Sequence, residues 1–129
     1  MKRLLILLLT LMLLTGCTAR PSAGMYRQIT AQEAAELMES ETGYIVLDVR
    51  TPAEYAERHI PGAINVPNET IGGTAPEQLT DREQLILIYC RSGNRSKQAA
   101  DKLVALGYTN IVEFGGINSW QGETVSGGE

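Results

Sequence analysis

Apolar residues fall along this chain in two kinds of pattern, unbroken runs and helical stripes. Tyr44-Ile45-Val46-Leu47 and Leu85-Ile86-Leu87-Ile88-Tyr89 are continuous runs too short to be helices. Such runs predict strands buried on both faces, as in a parallel sheet. Ile111-Val112-Glu113-Phe114 predicts another strand, turned by Gly115-Gly116. Thr30-Ala31-Gln32-Glu33 and Thr51-Pro52-Ala53-Glu54 each have the form of a capping box, in which hydroxyl and carboxylate satisfy free amides at a helix start. Ala34, Leu37 and Met38 give the first helix an apolar stripe, and the second is short, ending near Arg58. Ala99, Ala100, Leu103, Val104 and Leu106 mark a third helix over 96–106, closed by Gly107. Residues 63–67 read as a short extended piece and 117–120 as a helical cap. The stretch 68–83, interrupted by Gly72-Gly73 and Pro76, reads mostly as loop. The Gly-rich, polar stretch 122–129 reads as a flexible tail. Strands alternating with helices predict an α/β fold of three layers, a mainly parallel central sheet flanked by helices.

The N-terminus follows a different rule. Lys2 and Arg3 precede an apolar run from Leu4 to Leu14, broken only by Thr10. As a helix those residues span about 16 Å, well short of the ~30 Å hydrocarbon core, so a secretory signal over 1–16 is expected rather than a spanning anchor. Leu14-Thr15-Gly16-Cys17 resembles the lipobox of bacterial lipoproteins. That resemblance implies cleavage before Cys17 and a lipid on its thiol, with residues 17–26 as lipidated N-terminus and tether. The expected location is a bacterial cell envelope, lipid-anchored to a membrane outside the cytoplasm.

Composition narrows the classes. The chain of 129 residues is 43% hydrophobic and 20% charged, which suits one globular domain with a core of its own. Its net charge of −4, more acidic still without the leader's Lys2 and Arg3, argues against nucleic acid as a partner. Cys17 and Cys90 are the two cysteines, and their contexts give each a separate role rather than a shared disulfide. No cluster has metal-ligand spacing and no nucleotide fingerprint occurs, so neither metal nor cofactor is expected.

The chemistry concentrates after the strongest strand. Cys90 opens a loop, Cys90-Arg91-Ser92-Gly93-Asn94-Arg95, that leads into the third helix. Open α/β sheets place their sites at the carboxyl ends of strands. Small residues there let the backbone curl and aim several N–H groups inward, forming an anion-binding concavity. The helix dipole, Arg91 and Arg95 add positive potential, so thiolate is favoured over thiol. Asp48 and Arg50 end a neighbouring strand, within reach of the loop, and are expected to support it as an ion pair. His59, the only histidine, is expected to be architectural, and Trp120 a core plug.

Several segments together resemble the rhodanese-homology family. Cys90-Arg91-Ser92-Gly93-Asn94-Arg95-Ser96 is similar to its active-site loop, and Tyr44 to Arg50 to its first core strand with an Asp-x-Arg ending. Glu54-Tyr55 through His59-Ile60-Pro61-Gly62-Ala63-Ile64-Asn65-Val66-Pro67 resembles a second signature, and Gly115-Gly116-Ile117-Asn118-Ser119-Trp120 a C-terminal one. The resemblance covers residues 27–121. It implies a thiosulfate sulfurtransferase in which Cys90 carries a sulfane sulfur as a persulfide between a small anionic donor and a thiol-type acceptor. The loop over Arg91, Ser92, Gly93, Asn94 and Arg95 would bind the substrate, although Arg95, at its end, could instead brace it. The six-residue span from Cys90 to Arg95 is shorter than the seven-residue loop of related phosphatases and arsenate reductases, which favours sulfur over a tetrahedral oxyanion. A non-catalytic module for protein interaction is the alternative, and a monomer is expected.

Overall fold

The computed structural model describes residues 25–128, so the leader, the lipobox and Cys17 lie outside the described residues. Its elements in chain order are β1 (Arg27–Gln28), α1 (Ala31–Ser40), β2 (Ile45–Asp48), α2 (Pro52–Glu57), β3 (Ile64–Asn65), β4 (Ile86–Cys90), α3 (Asn94–Ala105) and β5 (Ile111–Gly116). One-turn 3₁₀ helices occupy Asn68–Thr70 and Ile117–Ser119. The five strands form one parallel sheet in the order β1-β5-β4-β2-β3, so the apolar runs of β4 and β5 lie side by side at its centre.

The expected caps form. The Thr51 hydroxyl accepts the Glu54 amide while the Glu54 carboxylate accepts the Thr51 amide, and Pro52 occupies the first turn. At α1 the Thr30 hydroxyl accepts the Glu33 amide.

Successive strand residues point to opposite faces, and the core divides accordingly. Leu47, Val49, Ile86, Ile88 and Cys90 pack with Ala99, Ala100 and Leu103 of α3. Val46, Leu87, Tyr89, Val112 and Phe114 pack on the other face with Ala31 and Ala34 of α1 and Tyr55 of α2.

Two sequence expectations are corrected, and one strand is added. The two-residue β1 has no apolar run to announce it, and exists because its backbone pairs with Val112 and Glu113 of β5. Gly115-Gly116 does not turn the chain out of the sheet; β5 continues through both, past a bulge, to pair Gly116 with Cys90. The tail is pinned rather than frayed: the amides and carbonyls of Val125 and His59 exchange hydrogen bonds at 2.9 and 2.8 Å, and Gly127 donates to the Ala56 carbonyl.

Candidate active site

β4 delivers Cys90 to the carboxyl edge of the sheet, and the chain then curls into α3 with Gly93 as the N-cap. Gly93 has φ +112°, a left-handed conformation that costs glycine little and other residues more. The curl aims its amide at the sulfur, Gly93 N to Cys90 Sγ 3.0 Å. Ser96, in the first turn of α3, brings Oγ to 3.3 Å from Sγ. Cys90 is 1% exposed, and burial pushes its thiol up. The Ser96 hydroxyl and the amides of Ser96, Gly93 and Ser92 outweigh burial and bring it below the ordinary thiol value.

The C-terminal Gly-Gly segment belongs to the same site. A Cβ on Gly116 would overlap the Arg91 carbonyl, so only glycine lets β5 pass this close beneath the loop. The Asn118 amide donates to that carbonyl at 3.2 Å, tying the 3₁₀ turn to the loop. The Cys90 loop thus rests on β5 as well as on α3.

The two loop arginines separate. Arg95 makes a two-pronged ion pair with Glu54 of α2, Nη1 to Oε1 2.7 Å and Nη2 to Oε2 3.0 Å. Chiefly through Arg95, the Glu54 carboxyl is lowered to about 2. Arg95 therefore takes the bracing position. Arg91 is exposed and lines a cleft of about 290 Å³ together with Arg50, Glu54, Glu57, Arg58, Ile117 and Asn118. Among the described residues, Arg58 and Arg91 are the cleft arginines without an ion pair. Ser92 and Asn94 are exposed on the loop.

Asp48 lies across the sheet from the sulfur, and Arg50 lines the cleft beside Arg91. Asp48 shares its face of the sheet with Tyr89, whereas Cys90, one residue further along β4, points to the α3 face. Asp48 instead accepts the Tyr89 hydroxyl at 2.7 Å and the Arg50 guanidinium at 2.7 to 3.1 Å. Arg50 also donates to the Arg58 carbonyl, fastening β2 to the end of α2. Burial and then Asp48 push the Tyr89 phenol far up, which keeps it a donor. The pair is structural support, reached through packing rather than through Cys90.

His59 is buried, stacked on Tyr55 with centroids 3.8 Å apart, and its Nδ1 is bonded to the Tyr55 carbonyl. Trp120 packs beside Phe114 and donates Nε1–H to the Glu123 carbonyl. His59 is packed into the fold, whereas Trp120 is half-buried at the edge of the core rather than a plug within it.

Sequence reading missed Glu113. It is 2% exposed on β5, and its Oε1 accepts the Ser96 hydroxyl at 2.6 Å and the Gly115 amide at 2.8 Å. The available signal was a lone charge inside an otherwise apolar strand.

A family model described as a rhodanese-like domain matches residues 30–123. The thiosulfate sulfurtransferase PspE of Escherichia coli (strain K12) is 34% identical over 71 residues, covering 55% of this chain and 68% of its own length. A sulfurtransferase of Allochromatium vinosum is 35% identical over 97 residues, 74% of this chain and 89% of the relative. Among solved structures, a rhodanese with anions from E. coli matches with a TM-score of 0.58 at 31% identity, covering 65% of this chain and 99% of that one. A rhodanese-related protein from Thermoplasma volcanium matches with a TM-score of 0.65 at 32% identity, covering 78% and 98%.

Proposed function

The chain belongs to the rhodanese-like domain family, and from that premise we propose that it is a thiosulfate-type sulfurtransferase with Cys90 as nucleophile. The observation that carries this reading is the sulfur's setting. Cys90 Sγ sits at the mouth of a parallel strand, receives the Gly93 amide at 3.0 Å, and has a thiol lowered below its ordinary value.

In the first step the Cys90 thiolate attacks the outer sulfur of thiosulfate. A new S–S bond forms to Cys90, and sulfite leaves with the electron pair of the broken S–S bond. In the second, a thiolate acceptor (or cyanide in an assay) attacks the outer sulfur, and its bond to Cys90 breaks with the pair returning to Sγ. No oxidant or external base is consumed. Loop amides stabilise the persulfide sulfur. Arg91 and Arg58, the cleft arginines without an ion pair among the described residues, attract the anionic donor, while Arg95 keeps the loop in shape. The span of six residues from Cys90 to Arg95 supports sulfur as cargo over a larger oxyanion.

Thiosulfate:cyanide turnover tests the reading, with Cys90→Ser as the control. Turnover in the parent, none in the variant, and a 32-Da adduct on Cys90 by mass spectrometry (the mass of one sulfur atom, about 32 Da) are expected. A parent chain that forms no persulfide after exposure to thiosulfate overturns it.

The same proposal puts the domain on a membrane surface outside the cytoplasm, held by lipid on Cys17. Its support is the Leu14-Thr15-Gly16-Cys17 sequence behind the short apolar run. Metabolic labelling with a fatty-acid precursor should mark the parent chain and not Cys17→Ser; equal labelling of both sinks it.

A further inference from the structure

Behind Cys90 lies a second carboxylate that sulfur transfer as drawn above does not use. Cys90, Ser96 and Glu113 are 1%, 0% and 2% exposed, and they form a chain: Sγ to Ser96 Oγ 3.3 Å, then Oγ to Glu113 Oε1 2.6 Å. The Gly93 and Gly115 carbonyls also lie 3.0 and 3.3 Å from Oγ. Ser96 is thus surrounded by acceptors, yet a hydroxyl has one proton to donate.

That single proton cannot serve two anions at once. With Glu113 ionised, Ser96 donates to Oε1 and Sγ–H donates to Oγ. With Cys90 ionised, its proton gone to solvent, Ser96 turns to donate to Sγ and leaves Oε1 with the Gly115 amide. Ionising both leaves one anion without the Ser96 donor in a site closed to water, which burial makes costly. Glu113 has no cation to compensate it; among the described residues the ion pairs are Arg50–Asp48 and Arg95–Glu54.

We infer that Cys90 and Glu113 compete for the single proton of the Ser96 hydroxyl, so that the buried carboxylate governs how far Ser96 is free to donate to the nucleophile's sulfur. Glu113 is therefore a positioning residue for the Ser96 hydroxyl that faces the nucleophile. Other charges near the chain are Arg91 and Arg95 on the loop and helix, Glu54 and Glu69 facing Arg95, and Tyr26 beside the β1 edge, which faces both Glu113 and Asp101. Asp48, Arg50 and Tyr89 lie across the sheet. None of them bonds Ser96 Oγ.

The inference rests on Cys90 as the nucleophile, so its test reads the thiol directly and does not depend on sulfur transfer. The rate of iodoacetamide alkylation is followed against pH in the parent, E113Q, S96A and the double variant. A glutamine can donate permanently to Oγ and release the Ser96 proton to sulfur. In E113Q the alkylation midpoint should fall by about one pH unit. In the S96A background that shift should shrink to less than half. A midpoint that stays or rises in E113Q overturns the inference, as does a full shift surviving without Ser96, which would mean a field effect of charge alone.

Discussion

Two carboxylates are buried in the sheet, on opposite faces and with opposite company. Asp48, on the α1–α2 face, is fully exposed to partners and fully hidden from water: a guanidinium, the Arg50 amide and the Tyr89 hydroxyl all converge on it. Glu113, on the α3 face, accepts a hydroxyl and an amide among the described residues. A buried charge matched by an opposite charge locks geometry, because removing either partner strands the other. A buried carboxylate held by a shared hydroxyl competes with its neighbour for the one proton that hydroxyl can donate. One face of the sheet therefore holds the fold and the other tunes the thiol.

The largest expected effect breaks the first half of that comparison. Asp48→Ala leaves Arg50 without its carboxylate and should cost about 3–5 kcal/mol in denaturant unfolding. The alkylation midpoint of Cys90 in the molecules that remain folded should not move. A midpoint shift as large as that of E113Q would erase the distinction between the faces. Gly116→Ala, whose Cβ collides with the Arg91 carbonyl, comes next. It should lose roughly 1–3 kcal/mol and slow Cys90 alkylation, since the loop must lift from β5. E113Q sharpens the other half: unfolding free energy should change by less than about 1 kcal/mol, because no cation is abandoned, while thiol reactivity moves.

The smallest effect concerns the brace between the two layers. Glu54→Gln removes a partly exposed ion pair and should cost about 0.2–1 kcal/mol. Its pH dependence has a definite sign. The Glu54 carboxyl lies lower in the folded state, at about 2, than its ordinary 4.5. The pair's contribution is therefore complete above the ordinary value and lost as pH falls toward about 2. Unfolding curves of parent and Glu54→Gln should converge across that window and stay parallel above it.

Much of the sheet was legible because its strands carry their own signal. β2, β4 and the first part of β5 are apolar runs that any neighbour would bury, and Thr51 and Pro52 announce α2 without tertiary help. β1 was not legible, since Arg27 and Gln28 are exposed polar residues whose pairing is donated by β5. Nor was the course of Gly115 and Gly116, where turn-forming residues stay in the strand so that the loop can press against them. The pinned tail depends on His59, more than sixty residues earlier in the chain. At the site, Cys90 and its loop were legible from composition and order. The face on which Asp48 lies was not, because strand parity relative to Cys90 requires the register between β2 and β4. Glu113 showed as a charge in an apolar run, but its partner Ser96 becomes apparent only once α3 lies over β5.

The contact between the Arg91 carbonyl and Gly116 also acts as a gauge on the loop. Above, the chain is fixed at Cys90 by β4 and at Gly93 by α3; below, it is clamped by Gly116 and the Asn118 amide. Inserting a seventh residue between Cys90 and Arg95 cannot simply widen the ring, because the added length must push the Arg91 carbonyl into a strand that has no side chain to yield. Ring size is thus recorded in two places twenty-five residues apart, Arg91 and Gly116. An engineer who wished to exchange sulfur for a bulkier cargo would have to redesign the floor of the site along with its rim.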